Sequence, residues 1–270
     1  MPSMRTDDDR SVTARALDLL GALTPEHPSA SLAELARAAG LAPATAHRLV
    51  GELLSWGALE RDPDGRYRVG LRLWRTGLLA PVADRLRERA LPFMQDLYEI
   101  TRENIHLAVR DGDHALYVEK LSGHRSVPVL SRVGERLPLH ATGVGKALLA
   151  WSGPDEVQAY CARGLEARTR HTITEGGRLA RDLRRAVERE YASTNEEMTL
   201  GSCSVAVPVC PDRQAPPVAA LGIVVHSVRA DLQRLVPALR VAATGLGRRL
   251  AEEPNRATGA GGDGRKVPKP

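Results

Sequence analysis

The stretch SLAELARAAGLAPATAHRLVGELLSWGALERDPDGRYRV, residues 31–69, leaves this chain few ways to fold. Start and stop signals follow one another too closely for a single long helix. Ser31 and Glu34 form a capping box, S-x-x-E, and Leu32, Leu35 and Ala36 give the helix that it opens one apolar face. Gly40 ends that helix, Gly40–Leu41–Ala42 make a tight turn, and Pro43 suits the first turn of another. The next helix, ATAHRLVGELLSWG, buries Leu49, Leu53 and Leu54 and stops at Gly57. Two short strands are predicted beyond it, Ala58–Arg61 and Arg66–Val69, joined by the strong turn signal DPDG. Upstream, Ser11 can cap an earlier helix with Val12, Ala16, Leu19, Leu20 and Leu23 on one face, and TPEHPSA breaks it. Helix, glycine turn, helix and hairpin is the order of a winged helix-turn-helix.

The rest of the chain has a different texture. Residues 71–89 read as a linker helix. Leu71, Leu73, Trp74, Leu78 and Leu79 make it more apolar than a solvated linker needs, which predicts packing on another element or subunit. From Glu103 the pattern turns to strands: IHLAVR and ALYVEKL around DGDH, then the extended run SVPVLSRV. Helices are expected at Val144–Ser152, Asp155–Ala162 and Gly177–Ala192, the last with Thr174 as its cap. CSVAVPV and PVAALGIVVH are apolar strands around a Pro-rich loop, and an amphipathic helix closes the domain. The predicted organisation is a flexible arm over 1–10, a winged helix-turn-helix over 11–70, the linker helix over 71–89, an α+β domain with a mixed or antiparallel sheet over 90–252, and a disordered basic tail over 253–270.

Composition narrows the function classes. No apolar run approaches the roughly 18 residues of a membrane helix, and MPSMRTDDDR is no secretion signal, so a cytoplasmic protein without a membrane partner is expected. Three cysteines, Cys161, Cys203 and Cys210, form no C-x-x-C pair and have no flanking histidine cluster. Neither a disulfide framework nor a metal site is expected, and no cofactor is implied. The formal net charge is +5, yet residues 1–80 hold ten arginines against ten acids. DNA binding must therefore be argued from local placement rather than overall charge.

HATGVGKALLA, residues 140–150, resembles a phosphate cradle. A Walker loop needs G-x-x-x-x-G-K-[ST]. Set on Gly145–Lys146, it would put its first Gly at His140 and its hydroxyl residue at Ala147, so both positions fail. The dinucleotide fingerprint fails too, with Leu148 in place of its third Gly. Two readings of Gly143 and Gly145 stay open. One is an anion-binding turn, in which the amides at Val144–Ala147 offer free N–H groups. The other is glycines that only permit close packing.

Several separated motifs in one order carry a family resemblance over roughly 11–250. They are SVTARALDLL, the 31–73 stretch through GLRL, GERLPLHATGVGKALLA, TRHTIT, EYASTNEEMTLGSCSVAVPV and VAALGIVVHSVRADL. The chain resembles IclR-type transcriptional regulators. The resemblance implies a winged-helix DNA reader, a linker helix and a GAF-like α/β effector domain with a mostly antiparallel sheet. It implies no catalysis. The implied partners are operator DNA, a small metabolite such as a carboxylate or aromatic, and further copies of the chain as dimer or tetramer. RNA polymerase is a further candidate, and the regulator would act as repressor or activator. The implied effector residues are Gly143 and Val144 in the turn, Asn195 and Glu196 in STNEE, and Cys203, Gly222 and Val224 on the strand pair. Carboxylate-binding members tend to carry serines where this chain has Gly222 and Val224. That departure favours a larger or more apolar ligand over a small keto acid.

The third helix would lead into the major groove, exposing Ala44, Thr45, His47 and Arg48. Thr45, His47 and Arg48 can each reach a base edge or a phosphate. Strand alternation puts Arg66 and Arg68 on one face of the hairpin, as wing contacts or as part of a solvated hairpin. Arg5 and Arg10 are candidate arm contacts. Cys203 has no base nearby in sequence and reads as a buried thiol rather than a nucleophile. His140 reads as a structural histidine, His106 faces solvent or the pocket, and Lys146 either assists an anion or ties a loop. Two other functions remain to be separated from the regulator: an interaction module that binds no DNA, and a thiol- or nucleotide-dependent enzyme.

Overall fold

The computed structural model describes residues 10–80, 86–123, 127–128, 131–212, 215–229 and 231–252. The expected tail, most of the arm including Arg5, and residues 81–85 of the expected linker helix lie outside those residues. The chain divides into two compact units, 1–88 with 131–135, and 89–130 with 136–270.

In the first unit, α1 (Val12–Gly21) is capped by Ser11, whose side chain accepts from the Ala14 N–H. Helix α2 (Leu32–Ala39) opens with the capping box, Glu34 Oε2 accepting from the Ser31 N–H at 2.7 Å. It closes on Gly40 at φ 64°, and α3 (Pro43–Trp56) closes on Gly57 at φ 80°. Both stops need the left-handed conformation that glycine adopts without a Cβ penalty. Strands β2 (Leu59–Arg61) and β3 (Tyr67–Val69) form the hairpin. The TPEHPSA segment is more than a break. Ser29–Ala30 forms a strand, β1, on the far side of β3, giving the order β1-β3-β2. Leu19, Leu35, Leu49, Val50, Leu59 and Tyr67 share the core of this unit. Helix α4 (Leu71–Gly77) follows the hairpin.

Helix α5 (Arg87–Thr101) leads into the second unit. Its strands are β4 (Asn104–Asp111), β5 (His114–Leu121), β6 (Arg136–Pro138), β7 (Ala192–Asn195), β8 (Ser202–Val209) and β9 (Ala219–His226). They form one antiparallel sheet in the order β6-β5-β4-β9-β8-β7. The third extended segment therefore differs from expectation. The described part of SVPVLSRV holds no strand, and β6 sits a few residues later. STNEE begins inside a strand, β7.

Helices α6 (Gly143–Ala150), α7 (Pro154–Cys161) and α8 (Gly176–Arg189) follow β6, and α9 (Leu232–Ala251) ends the described chain. Thr174 does not cap α8; Glu175 stands at the N-cap and makes no side-chain cap. Val144, Leu148, Leu149, Leu179 and Leu183 pack with Ala108, Ala206 and Ala220 on one face of the sheet. On the other face Val205, Leu221 and Ile223 are fully buried, and α9 packs against β8 and β9.

Candidate functional site

Helix α3 is two-faced. Ala46, Leu49 and Val50 are buried, whereas Ala44, His47 and Arg48 are exposed and Thr45 is half-buried. Among the described residues neither His47 nor Arg48 has a side-chain partner. Ala42 offers no side-chain cap, so the N–H groups of Ala44 and Thr45 are left open at the positive end of the helix dipole. Sequence reasoning named these residues for their side chains and passed over their amides. An alanine at the N-cap was the signal for them.

The hairpin arginines part company. Arg68 keeps an exposed guanidinium 3.5 Å from Glu60. Arg66 is spent inside the unit, donating to Ser29 Oγ at 3.2 Å, to the Ser29 carbonyl at 3.0 Å and to Glu34 at 2.8 Å. Arg10 is likewise structural. It donates to Asp18 at 2.7 Å and to the carbonyls of Ala39 and Gly40, fastening α1 to the turn that ends α2.

In the second unit, the turn before α6 is held by Thr142. Its hydroxyl accepts from the Gly145 N–H at 3.2 Å and its carbonyl accepts from Lys146 N–H at 2.9 Å. Only the Gly143 and Val144 N–H groups then lack an acceptor among the described residues, fewer than the Val144–Ala147 set expected. The glycines themselves serve packing. A β-carbon on Gly145 would stand 2.5 Å from the Leu139 carbonyl oxygen, and one on Gly222 would stand 2.8 Å from Val144 Cγ1. The space opened by the missing side chain at Gly222 is thus filled by Val144 rather than left for a larger ligand.

Register decides which strand residues meet that turn. Ser204 pairs with Thr194 and Val224, and Gly222 pairs with His106 and Ala206. These residues share the α6 face, where Thr194 and Ser204 hydroxyls lie 2.5 Å apart. Cys203 pairs with Asn195 and Val225, so alternation turns it to the opposite face. There its thiol donates to Asn195 Oδ1 at 3.0 Å, and burial pushes its pKa up. Cys203 and Asn195 are therefore not brought together with Gly143, Val144, Gly222 and Val224. Ser204 and Thr194 stand in their place. Glu196, at φ 56°, faces His171 at 3.5 Å and accepts from Ser227.

His106 is buried on the same face, edge-on to Tyr117 with ring centroids 5.2 Å apart. Burial, with Lys120 nearby, takes its pKa down to about 3, so it is neutral. His140 is also buried. Its Nδ1 lies 2.9 Å from the Tyr160 hydroxyl and its Nε2 lies 2.9 Å from the Glu166 carbonyl. Lys146 is 1% exposed and donates to Asp182 at 2.7 Å and Glu197 at 2.8 Å. It ties α6 to α8 and to the loop after β7. Burial lifts the Glu197 carboxyl above its usual range while Lys146 pulls it down, and Glu197 Oε2 is buried without a hydrogen-bond partner.

Residues 12–63 match the family model of the IclR helix-turn-helix domain, and residues 82–248 match that of the bacterial transcriptional regulator IclR C-terminal region. The chain belongs to the IclR family. It is 31% identical over 223 residues to HTH-type transcriptional regulator XynR of Escherichia coli (strain K12), covering 80% of this chain and 86% of that one. It is 30% identical to Transcriptional repressor IclR of the same organism, covering 77% of each. An IclR homolog from Microbacterium hydrocarbonoxydans, solved in complex with 4-hydroxybenzoate, superposes with a TM-score of 0.85 at 33% identity, covering 90% of this chain and all of that one. As an IclR-family member the chain is a DNA-binding transcriptional regulator with a ligand-binding C-terminal domain, and not an enzyme.

Proposed function

We propose that this IclR-family chain is a cytoplasmic repressor that reads its operator with the exposed side of α3 and releases or tightens on it when a small aromatic acid binds beside α6. The two-faced character of α3 carries the reading. Its buried side fixes the helix on the domain, while His47 and Arg48 stand free and Ala44 and Thr45 offer open amides. Arg48 and His47 read base edges, the α3 amides hold a phosphate, and Arg68 touches the backbone from the wing. Bound across a promoter, the protein would exclude RNA polymerase. Exposed Leu71, Trp74 and Leu79 on and beyond α4 give a second copy an apolar surface to cover, which fits a homo-oligomer.

The effector reading rests on the paired N–H groups of Gly143 and Val144, which suit a carboxylate, beside the apolar and aromatic groups of Val144, Val224 and Tyr117. Ser204 and Thr194 supply hydroxyls for a second polar group. The neighbour that binds 4-hydroxybenzoate supports this ligand class.

Gel-shift titration on the promoter region beside the gene tests the DNA reading. Arg48→Ala should weaken operator binding by ~1–3 kcal/mol and relax preference at one base position. Unchanged affinity and preference would remove Arg48 from the interface. 4-Hydroxybenzoate serves as the effector probe. At 100 times its Kd it should stabilise the protein by ~2.7 kcal/mol and shift the operator titration. No thermal shift and no change in operator affinity would discard the aromatic-acid assignment.

A further inference from the structure

Helix α8 carries charge that its own domain does not use. Arg178, Arg181, Arg185 and Arg189 recur at i, i+3, i+7 and i+11, so they form one stripe along the helix, about 16 Å long at 1.5 Å per residue. All four are exposed, while Leu179, Leu183 and Ala186 hold the other side of α8 to the core. Among the described residues none of the four guanidiniums has a hydrogen-bond or ion-pair partner. Two nearby acids are taken. Asp182 is bound by Lys146 at 2.7 Å and Glu190, at the C-cap, by Arg240 at 3.1 Å, which leaves Glu188 on the helix and Glu175 at its N-cap without a partner among the described residues. Like charges three and four residues apart cost the helix a few tenths of a kcal/mol per pair, which Asp182 and Glu188 on the same helix offset only in part.

The base-reading part of the chain has the converse deficit. Residues 1–80 carry ten arginines against ten acids, and Arg10, Arg61, Arg66 and Arg72 among them donate to groups inside the unit. Sequence-independent affinity for DNA comes from neutralising phosphates, and a net-neutral reading head supplies little of it. Arginine is the residue whose planar fork grips a phosphate through two parallel hydrogen bonds.

We propose that the α8 arginine stripe is a second DNA-binding surface, which docks on the phosphate backbone of the duplex without reading its sequence. It rests on the reading of this chain as an operator binder and adds the part that holds DNA of any sequence.

The test is the salt dependence of DNA binding by the full chain. The wild type is compared with a variant carrying Arg178→Gln, Arg181→Gln, Arg185→Gln and Arg189→Gln, on operator duplex with native flanks and on unrelated duplex. Each lost phosphate contact removes about 0.9 from the slope of log K against log[salt]. The glutamine variant should therefore show a slope shallower by about 3–4 and bind unrelated duplex at least tenfold more weakly at low salt, with base preference unchanged. A second variant with lysine at the same four positions should keep the wild-type slope, which separates charge from misfolding. A glutamine variant with the wild-type slope and the wild-type affinity for unrelated duplex overturns the proposal. A wild-type chain that binds no operator overturns the reading of α3 instead, so the two failures are distinguishable.

Discussion

Lys146 shows what a single side chain can decide. Its ammonium is buried between Asp182 and Glu197, and Glu197 already has one oxygen without a partner. Lys146→Met would leave that carboxylate buried and uncompensated, so about 3 kcal/mol of stability should be lost, read from the midpoint of urea unfolding at constant slope. Adding Glu197→Gln should return part of the loss, because the stranded charge is then gone. Two equal and additive losses would show that the residues do not act on each other. The sequence left this lysine open between an anion contact and a loop tie. Its partners lie 36 and 51 positions away, and no local pattern reports a contact of that range. His106 shows the same limit. It was set between solvent and pocket, and only the pairing of β4 with β5 and β9 buries it.

At the scale of elements, legibility followed the strength of local chemistry. The capping box at Ser31, the glycine stops at Gly40 and Gly57, and the turn between β2 and β3 are each fixed within four residues, and each was readable. Strand β1 has two residues, too few to show a period, so only its pairing with β3 reveals it. The side of β8 to which Cys203 turns was unreadable for a different reason. Both faces of β8 are buried, so its apolar run shows no alternation to fix which side chains point at α6. Alternation puts Arg66 on the face of Arg68, as a wing contact or part of a solvated hairpin, yet it joins β3 to β1 and to the cap of α2. Arg66→Ala should therefore cost about 1 kcal/mol and lower the thermal midpoint, with the operator's base preference intact. A change in preference with no change in midpoint would return Arg66 to the interface.

For the whole molecule, the buried histidines set an acid limit. His106 titrates near 3 in the folded chain and near 6.5 when exposed, and burial moves His140 in the same direction. A histidine kept neutral by folding takes up its proton at a higher pH in the unfolded chain than in the folded one. The contribution of His106 is complete above about pH 6.5 and is lost as pH falls toward 3, and that of His140 has the same sign. Unfolding free energies measured across that range should decline with acidification, and His106→Asn should flatten the decline. A profile that His106→Asn leaves unchanged would place the acid sensitivity elsewhere. The two-part architecture was readable because helix-period and strand-period segments are well separated along the chain. The sheet order β6-β5-β4-β9-β8-β7 was not, since β9 joins β4 across more than a hundred residues.

The bond between His140 Nε2 and the Glu166 carbonyl has a directional consequence. A carbonyl only accepts, so Nε2 must carry the imidazole proton and Nδ1 must present its lone pair. The Tyr160 hydroxyl 2.9 Å away is then obliged to donate to Nδ1, while its own oxygen accepts the His140 backbone N–H. Every proton in this chain points one way, from the main chain of the turn before α6, through a phenol and an imidazole, to the loop at Glu166. A second proton on the ring would force the phenol to reverse, and Tyr160 would then accept from both the imidazole and the His140 main chain.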